Sequence, residues 1–148
     1  MKKLSCGILI VKNNNGLKEL FMAHVTNKPF WDIPKGGMCE NESFIDTAIR
    51  EMKEEVGFEC SKEELLDLGL FDYTERKDLY LFKYIGDYDF KVEDAVCTSK
   101  FFSKIYQEYL PEVDDFKYVP IDEVLNYCSE GFKNVLPRLL RDNIIWLL

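Results

Sequence analysis

Apolar residues recur along this chain with two different periods. Leu4 to Lys12 (LSCGILIVK) and Leu20 to Thr26 (LFMAHVT) are short apolar runs with the length and composition of strands. Asn13-Asn14-Asn15-Gly16 between them is turn-rich and predicts a hairpin. Leu65 to Tyr73 and Leu79 to Ile85 predict a second strand pair, with Glu75-Arg76-Lys77-Asp78 as the connection. Phe116-Lys117-Tyr118-Val119 is also strand-like, whereas 86–110 is ambiguous apart from a short candidate strand from Cys97 to Phe102. A helical period governs the stretch from Asn41 to Gly57. Near the end of the chain, Asp122 can cap a helix reaching about Cys128, and Phe132 to about Ile145 reads as an amphipathic helix interrupted near Pro137. Strands first, then a long helix embedded among later strands, match a single α/β domain over residues 1–148, an α/β/α sandwich around a mixed β-sheet.

The embedded helix has two unlike faces. Asn41 is read as its N-cap, since its side chain can accept from the free amides of the first turn. Glu42 then occupies that turn, where the helix dipole favours negative charge. Gly57 suits the left-handed position that closes a helix. With Ile45 as origin and about 100° per residue, Ile49, Met52 and Val56 fall within roughly 40° of it, with Ala48 close by. These residues form a core-facing stripe. Glu51, Glu54 and Glu55 fall in an arc roughly 180–280° round, facing one point in solvent. Carboxylates at (i, i+3) and (i, i+4) repel and weaken a helix. A hard divalent cation would relieve that repulsion, because such ions take oxygen ligands and share them with substrate phosphates. A merely solvated charged face is the competing reading.

The surrounding residues favour the cation. From Gly36 to Phe58 the chain reads GGMCENESFIDTAIREMKEEVGF. The pattern Gly36-x5-Glu42-x7-Arg50-Glu51-Met52-x-Glu54-Glu55-x-Gly57-Phe58 fits the Nudix box at every defined position. Seven fixed residue types at that spacing arise by chance on the order of 10⁻⁸ times per start. The chain thus resembles a Nudix hydrolase. The resemblance implies the Nudix-type α/β/α sandwich and hydrolysis of a diphosphate linkage in a nucleoside diphosphate joined to another group. It implies Mg²⁺ (or Mn²⁺) as cofactor, with Glu51, Glu54 and Glu55 as metal ligands and the carbonyl of Gly36 adding an oxygen. Arg50 becomes the brace that orients the glutamates, and Glu42 its structural neighbour. The chemistry agrees, because attack of water on a charged diphosphate gains from cations that neutralise developing charge.

The box leaves the general base open between a box glutamate such as Glu54 and a downstream loop, 107–115 (Gln-Glu-Tyr-Leu-Pro-Glu-Val-Asp-Asp). Glu112 is the first choice there, in competition with Glu108, Asp114 and Asp115. Upstream, Trp31-Asp32-Ile33-Pro34-Lys35-Gly36-Gly37 joins a strand to the box, and Lys35 is a candidate phosphate contact. Phe30, Trp31, Tyr73 and Tyr80 are candidates for stacking a base, with core packing as the alternative. Arg76 and Lys77 are candidates for clamping a distal phosphate, with an ordinary surface turn as the alternative.

Composition narrows the class. A formal net charge of −8 argues against a broad nucleic-acid footprint, though not against a small nucleotide held through bound metal. Five cysteines without CxxC or histidine pairing (Cys6, Cys39, Cys60, Cys97, Cys128) read as reduced thiols of a cytoplasmic protein. No apolar run approaches the roughly 18 residues of a membrane span, and Met1-Lys2-Lys3 leads into a strand, not a cleavable apolar segment. His24, the single histidine, reads as structural. A homodimer stays open.

The substrate is less legible. The coenzyme A signature, the proline-rich stretch of the NADH-cleaving branch and the downstream proline of ADP-ribose hydrolases have no counterpart; Asp72-Tyr73-Thr74 stands at the last of these. Tyr73 lies close to the tyrosine kept by dinucleoside polyphosphate hydrolases. The first reading is therefore a small-molecule nucleotide, with dinucleoside polyphosphates slightly ahead of damaged (d)NTPs or ADP-ribose. An RNA 5′ pyrophosphohydrolase is an alternative, which a local basic rim of Lys28, Lys35, Arg76 and Lys77 would favour. A non-catalytic nucleotide sensor is the third, and the intact glutamates argue against it.

Overall fold

The first apolar run makes two strands, not one. In the computed structural model, which describes residues 2–141, β1 (Lys3–Leu9) and β2 (Val11–Asn14) part at Ile10 and enter different sheets. The carbonyl of Ile10 accepts from Phe21 N–H at 2.9 Å, which satisfies it across the bend. β2 turns into β3 (Leu17–Val25) through Asn15 and Gly16, both at positive φ (53° and 88°), as a two-residue hairpin turn requires. β4 (Trp31–Asp32) pairs with β3, and β5 (Lys35–Gly37) pairs antiparallel with β1.

Helix α1 (Phe44–Val56) follows. Its N-cap is Ser43, whose Oγ accepts from Asp46 N–H at 3.2 Å, and not the expected Asn41, which sits at φ 66° in the approach loop. The helix starts later because Glu42 is drawn away from the first turn toward Arg50 and Thr47. Gly57 closes it at φ 80°, as expected. β6 (Leu65–Thr74) and β7 (Lys77–Tyr84) form the second hairpin. Its turn is only Glu75-Arg76, shorter than expected, and this places Lys77 on a strand.

The ambiguous region resolves into a hairpin of β8 (Lys100–Ser103) and β9 (Glu108–Pro111), followed by β10 (Val113–Pro120). Segment 107–115 is thus mostly strand, with Glu112 at the junction of β9 and β10. The short α2 (Val124–Tyr127) precedes α3 (Glu130–Arg141). The expected interruption does not occur: α3 runs through Pro137, held by burial of Phe132, Val135, Leu136 and Leu139. The expected end near Ile145 lies outside the described residues.

One sheet runs β5-β1-β7-β6, with β1 parallel to β7; the other runs β10-β3-β2, with β4 alongside β3. β1 is central and alternates faces, so Cys6 and Ile8 pack beneath α1 with Ala48, Met52 and Val56. Leu9 turns the other way, into the core that α3 covers with Phe132 and Leu136. That is the expected α/β/α sandwich with mixed pairing. Among the described residues no helix is long and apolar enough to cross a membrane.

Candidate active site

The glutamate face of α1 does not look into open solvent. Glu51 and Glu55 are 8% and 6% exposed, because β5 lies along that flank of the helix. Only Glu54 keeps an exposed side chain. Gly36 makes the approach possible: a Cβ there would stand 2.1 Å from the carboxyl carbon of Glu51. Sequence periodicity separates the two helix faces correctly but cannot foresee that a strand covers part of the polar one.

Arg50 binds the loop, the helix and the strand together. Its Nε and Nη2 donate to Glu42 at 2.6 and 2.9 Å, and Nη2 also donates to the carbonyl of Gly37 at 2.8 Å. Nη1 donates to Glu51 at 2.8 Å and to Glu54 at 3.2 Å. These hydrogen bonds to Arg50 pull the Glu42 carboxyl down to about 2. Glu42 accepts further from Cys39 N–H and Thr47 Oγ1, which makes it the anchor of the box loop.

Beside β5 lies a polar cleft of about 240 Å³, walled by Lys35, Gly36, Gly37, Glu55, Lys77 and Glu112 among others. Glu112 separates itself here from its competitors. Asp114 bonds to His24 Nδ1 at 2.6 Å, Asp115 caps its own neighbour Phe116, and Glu108 is exposed on the β8–β9 hairpin. Burial pushes Glu55 well above the usual carboxylate range, opposed by Lys35 and reinforced by Glu51 and Glu112. Burial raises Glu51 as well, against the pull of Arg50. Ionisation of this pair is therefore disfavoured by burial and opposed by the neighbouring carboxylates, and a nearby cation would favour it.

The donors suit a hard cation on that ground. Two buried carboxylates whose charge burial disfavours, one of them packed against a side-chain-free glycine, and a third at the helix surface are the oxygen donors Mg²⁺ or Mn²⁺ takes. Among the described residues, no three His, Cys, Asp or Glu side chains are grouped so as to hold a metal ion as they stand. Arg50 instead occupies the carboxylates of Glu51 and Glu54.

Lys35 leads into a second, more apolar cleft of about 510 Å³, lined by Phe30, Asp32, Tyr73, Arg76, Lys77 and Gly131 among others. Asp32, which periodicity gave no reason to single out, is the pivot. It is buried, its carboxylate accepts from Tyr73 OH and from Ser129 Oγ (2.7 Å), and it lies 3.6 Å from Lys35 Nζ. Burial works against the Lys35 ammonium, but Asp32, Tyr73 and Glu55 outweigh it and hold its pKa above the ordinary lysine value. Burial and Asp32 push the Tyr73 hydroxyl up to about 12. Tyr73 is thus a wall of the cleft held by its hydroxyl. The only advance signal for Asp32 was a carboxylate set between Trp31 and Ile33.

Trp31 is not brought to either cleft. Strand alternation turns it away from Asp32, and its ring packs against His24 (5.2 Å) and under Lys117 Nζ (4.4 Å). Phe30 lines the cleft instead. Of the expected basic rim, Lys35, Arg76 and Lys77 line the clefts and Lys28 does not.

The family model for the NUDIX domain matches residues 1–139. An uncharacterized 17.7 kDa protein of Enterobacteria phage T4 is 36% identical over 129 residues, covering 81% of this chain and 83% of its own. An RNA pyrophosphohydrolase of Nitratiruptor sp. is 26% identical over 144 residues, covering 90% of this chain and 86% of its own. The fold matches a C. elegans Ap4A hydrolase structure with a TM-score of 0.66 at 19% identity, covering 98% and 99% of the two chains. With the box geometry in place and the family model spanning nearly the whole chain, this protein belongs to the Nudix family and is a hydrolase of phosphoric anhydride bonds.

Proposed function

We propose that the protein hydrolyses a diphosphate linkage in a nucleoside diphosphate derivative, with Mg²⁺ or Mn²⁺ held by Glu51, Glu54, Glu55 and the carbonyl of Gly36. The observation that carries this reading is the facing of Glu55 and Glu112 with Lys35 and Gly36 across one small polar cleft. The ion supplies charge neutralisation at the phosphates and a lower pKa for water. The chain's own groups do the rest. Glu112 takes the proton of the attacking water as its oxygen bonds to phosphorus and the bridging P–O bond breaks. Lys35, fixed by Asp32, and Lys77 hold phosphate oxygens, while Arg50 keeps Glu51 and Glu54 in register along the helix. The larger cleft, with Phe30 and Tyr73 in its wall, takes the nucleoside, since pockets for such ligands fall at about 300–1,000 Å³.

Among nucleotides, the similarity to an RNA pyrophosphohydrolase over most of both chains supports a triphosphorylated RNA end beside the small-molecule candidates. The unpaired thiols support a cytoplasmic setting. The test is a panel of dinucleoside polyphosphates, (d)NTPs, ADP-ribose and triphosphorylated RNA with Mg²⁺ and with Mn²⁺, products separated by chromatography. Hydrolysis should stop with EDTA and fall about 100-fold or more in Glu54→Gln with the fold intact. Activity that survives EDTA, or full activity in Glu54→Gln, would sink the metal reading.

A further inference from the structure

The row of cations that begins at Lys35 continues past the nucleoside cleft. Lys77 lines both clefts and also a third depression of about 500 Å³, whose other walls are Lys2, Lys3, Glu75 and Arg76. The parallel register of β1 and β7 sets Lys3 directly beside Lys77, and Lys3 N–H donates to the carbonyl of Arg76 at 2.9 Å. Like charges placed opposite each other across strands destabilise a sheet. Lys2 has its compensation, at 2.7 Å from Asp78 and 3.2 Å from Asp72. Among the described residues, Lys3, Arg76 and Lys77 have no carboxylate within ion-pair distance, and Glu75 is the one acid on the rim. In a chain of net charge −8, three uncompensated cations gathered at one depression are not a random surface. They call for an external polyanion, as the box glutamates call for a cation.

We propose that Lys3, Arg76 and Lys77 form a backbone-phosphate subsite for a single-stranded nucleic acid whose 5′ end lies in the hydrolytic cleft. This rests on the hydrolysis proposed above and specifies its substrate class. The two inner clefts suffice for phosphates and one nucleoside, so the third serves the next phosphate along a chain. The β6–β7 turn and the start of β1 are joined by a backbone hydrogen bond, which makes the subsite a fixed part of one end of the sheet. Such contacts act through charge and counterion release, each adding about 0.7 to the salt dependence of single-strand binding.

Lys3→Gln is the discriminating variant, because Lys3 lines only the third depression. Kinetics of the full chain should be compared on a 5′-triphosphorylated decanucleotide RNA, the matching nucleoside triphosphate and a dinucleoside tetraphosphate. The expected result is a KM for the RNA raised about threefold or more, with a salt slope flatter by about 0.7, and unchanged constants for both small substrates. Equal effects on RNA and dinucleoside tetraphosphate would assign the row to a small substrate and overturn the proposal, as would no effect on RNA. Binding of a 3′-labelled RNA in EDTA, followed by fluorescence anisotropy, separates the two readings. If hydrolysis fails but wild type binds about threefold tighter than Lys3→Gln, the subsite stands without the reaction. Equal binding overturns it whatever the activity.

Discussion

Glu51 fills the space that a side chain on Gly36 would occupy: a Cβ on Gly36 would lie 2.1 Å from the Glu51 carboxyl carbon and 2.2–2.4 Å from its oxygens. The pairing ties the strand before the box to the helix within it, and it sets how near that strand can come to the carboxylate.

Gly36→Ala should therefore act on the site more than on the fold. The added methyl forces Glu51 off its position, and catalytic activity should drop about 100-fold or more, since small displacements of positioned groups cost about that much. Thermal unfolding followed by circular dichroism should still be cooperative. A Gly36→Ala enzyme with wild-type kcat/KM would show that Glu51 can move freely.

Glu112→Gln keeps the shape of the cleft and removes the proton acceptor. We expect kcat to fall by about 10²–10⁴-fold with KM changed little, the usual size of a lost general base. Steady-state kinetics on whichever substrate the panel identifies will measure this. A fall confined to KM would make Glu112 a binding group.

The Glu42–Arg50 pair gives a pH signature. Glu42 has its folded pKa lowered from 4.5 to about 2, so its stabilisation is present above about pH 4.5 and is lost as pH falls toward 2. Other carboxylates titrate in the same window, so the informative quantity is a difference. The Tm of wild type should fall across that window more steeply than that of Glu42→Gln, and the two should differ most near neutral pH. Parallel Tm–pH curves would count against this pairing.

Cysteine labelling should sort by burial. Cys39 is exposed in the box loop, whereas burial pushes Cys6 to about 11, Cys60 to about 12 and Cys128 to about 11. Thiolate is the reactive form. Brief iodoacetamide treatment and peptide mass spectrometry should find Cys39 modified first and those three last. Early labelling of Cys60 would contradict the packing beneath Phe58 and Tyr84.

The box helix was legible because its signals are local. Fixed spacing, a glycine stop and a 3.6-residue stripe survive without knowledge of the rest of the chain. Its start was misplaced by two residues, at Asn41 instead of Ser43, because a tertiary ion pair with Arg50 claims Glu42. The strand runs were legible for the same local reason, though the division at Ile10 was not. An apolar run buried on both faces looks the same whether it stays in one sheet or crosses to another.

The sequence by itself determined the chemistry on offer: a three-glutamate helix with an arginine brace, flexible glycines before it and an α/β order around it. Only the tertiary structure decided which distant residues meet that helix. The junction of β9 and β10 brings Glu112, and not Asp114, to the cleft, while the pairing of β4 on β3 turns Asp32 inward and Trp31 out. The parallel register of β1 on β7 sets Lys3 beside Lys77. Strand partners and registers of this kind join residues far apart in the chain, and no local period encodes them.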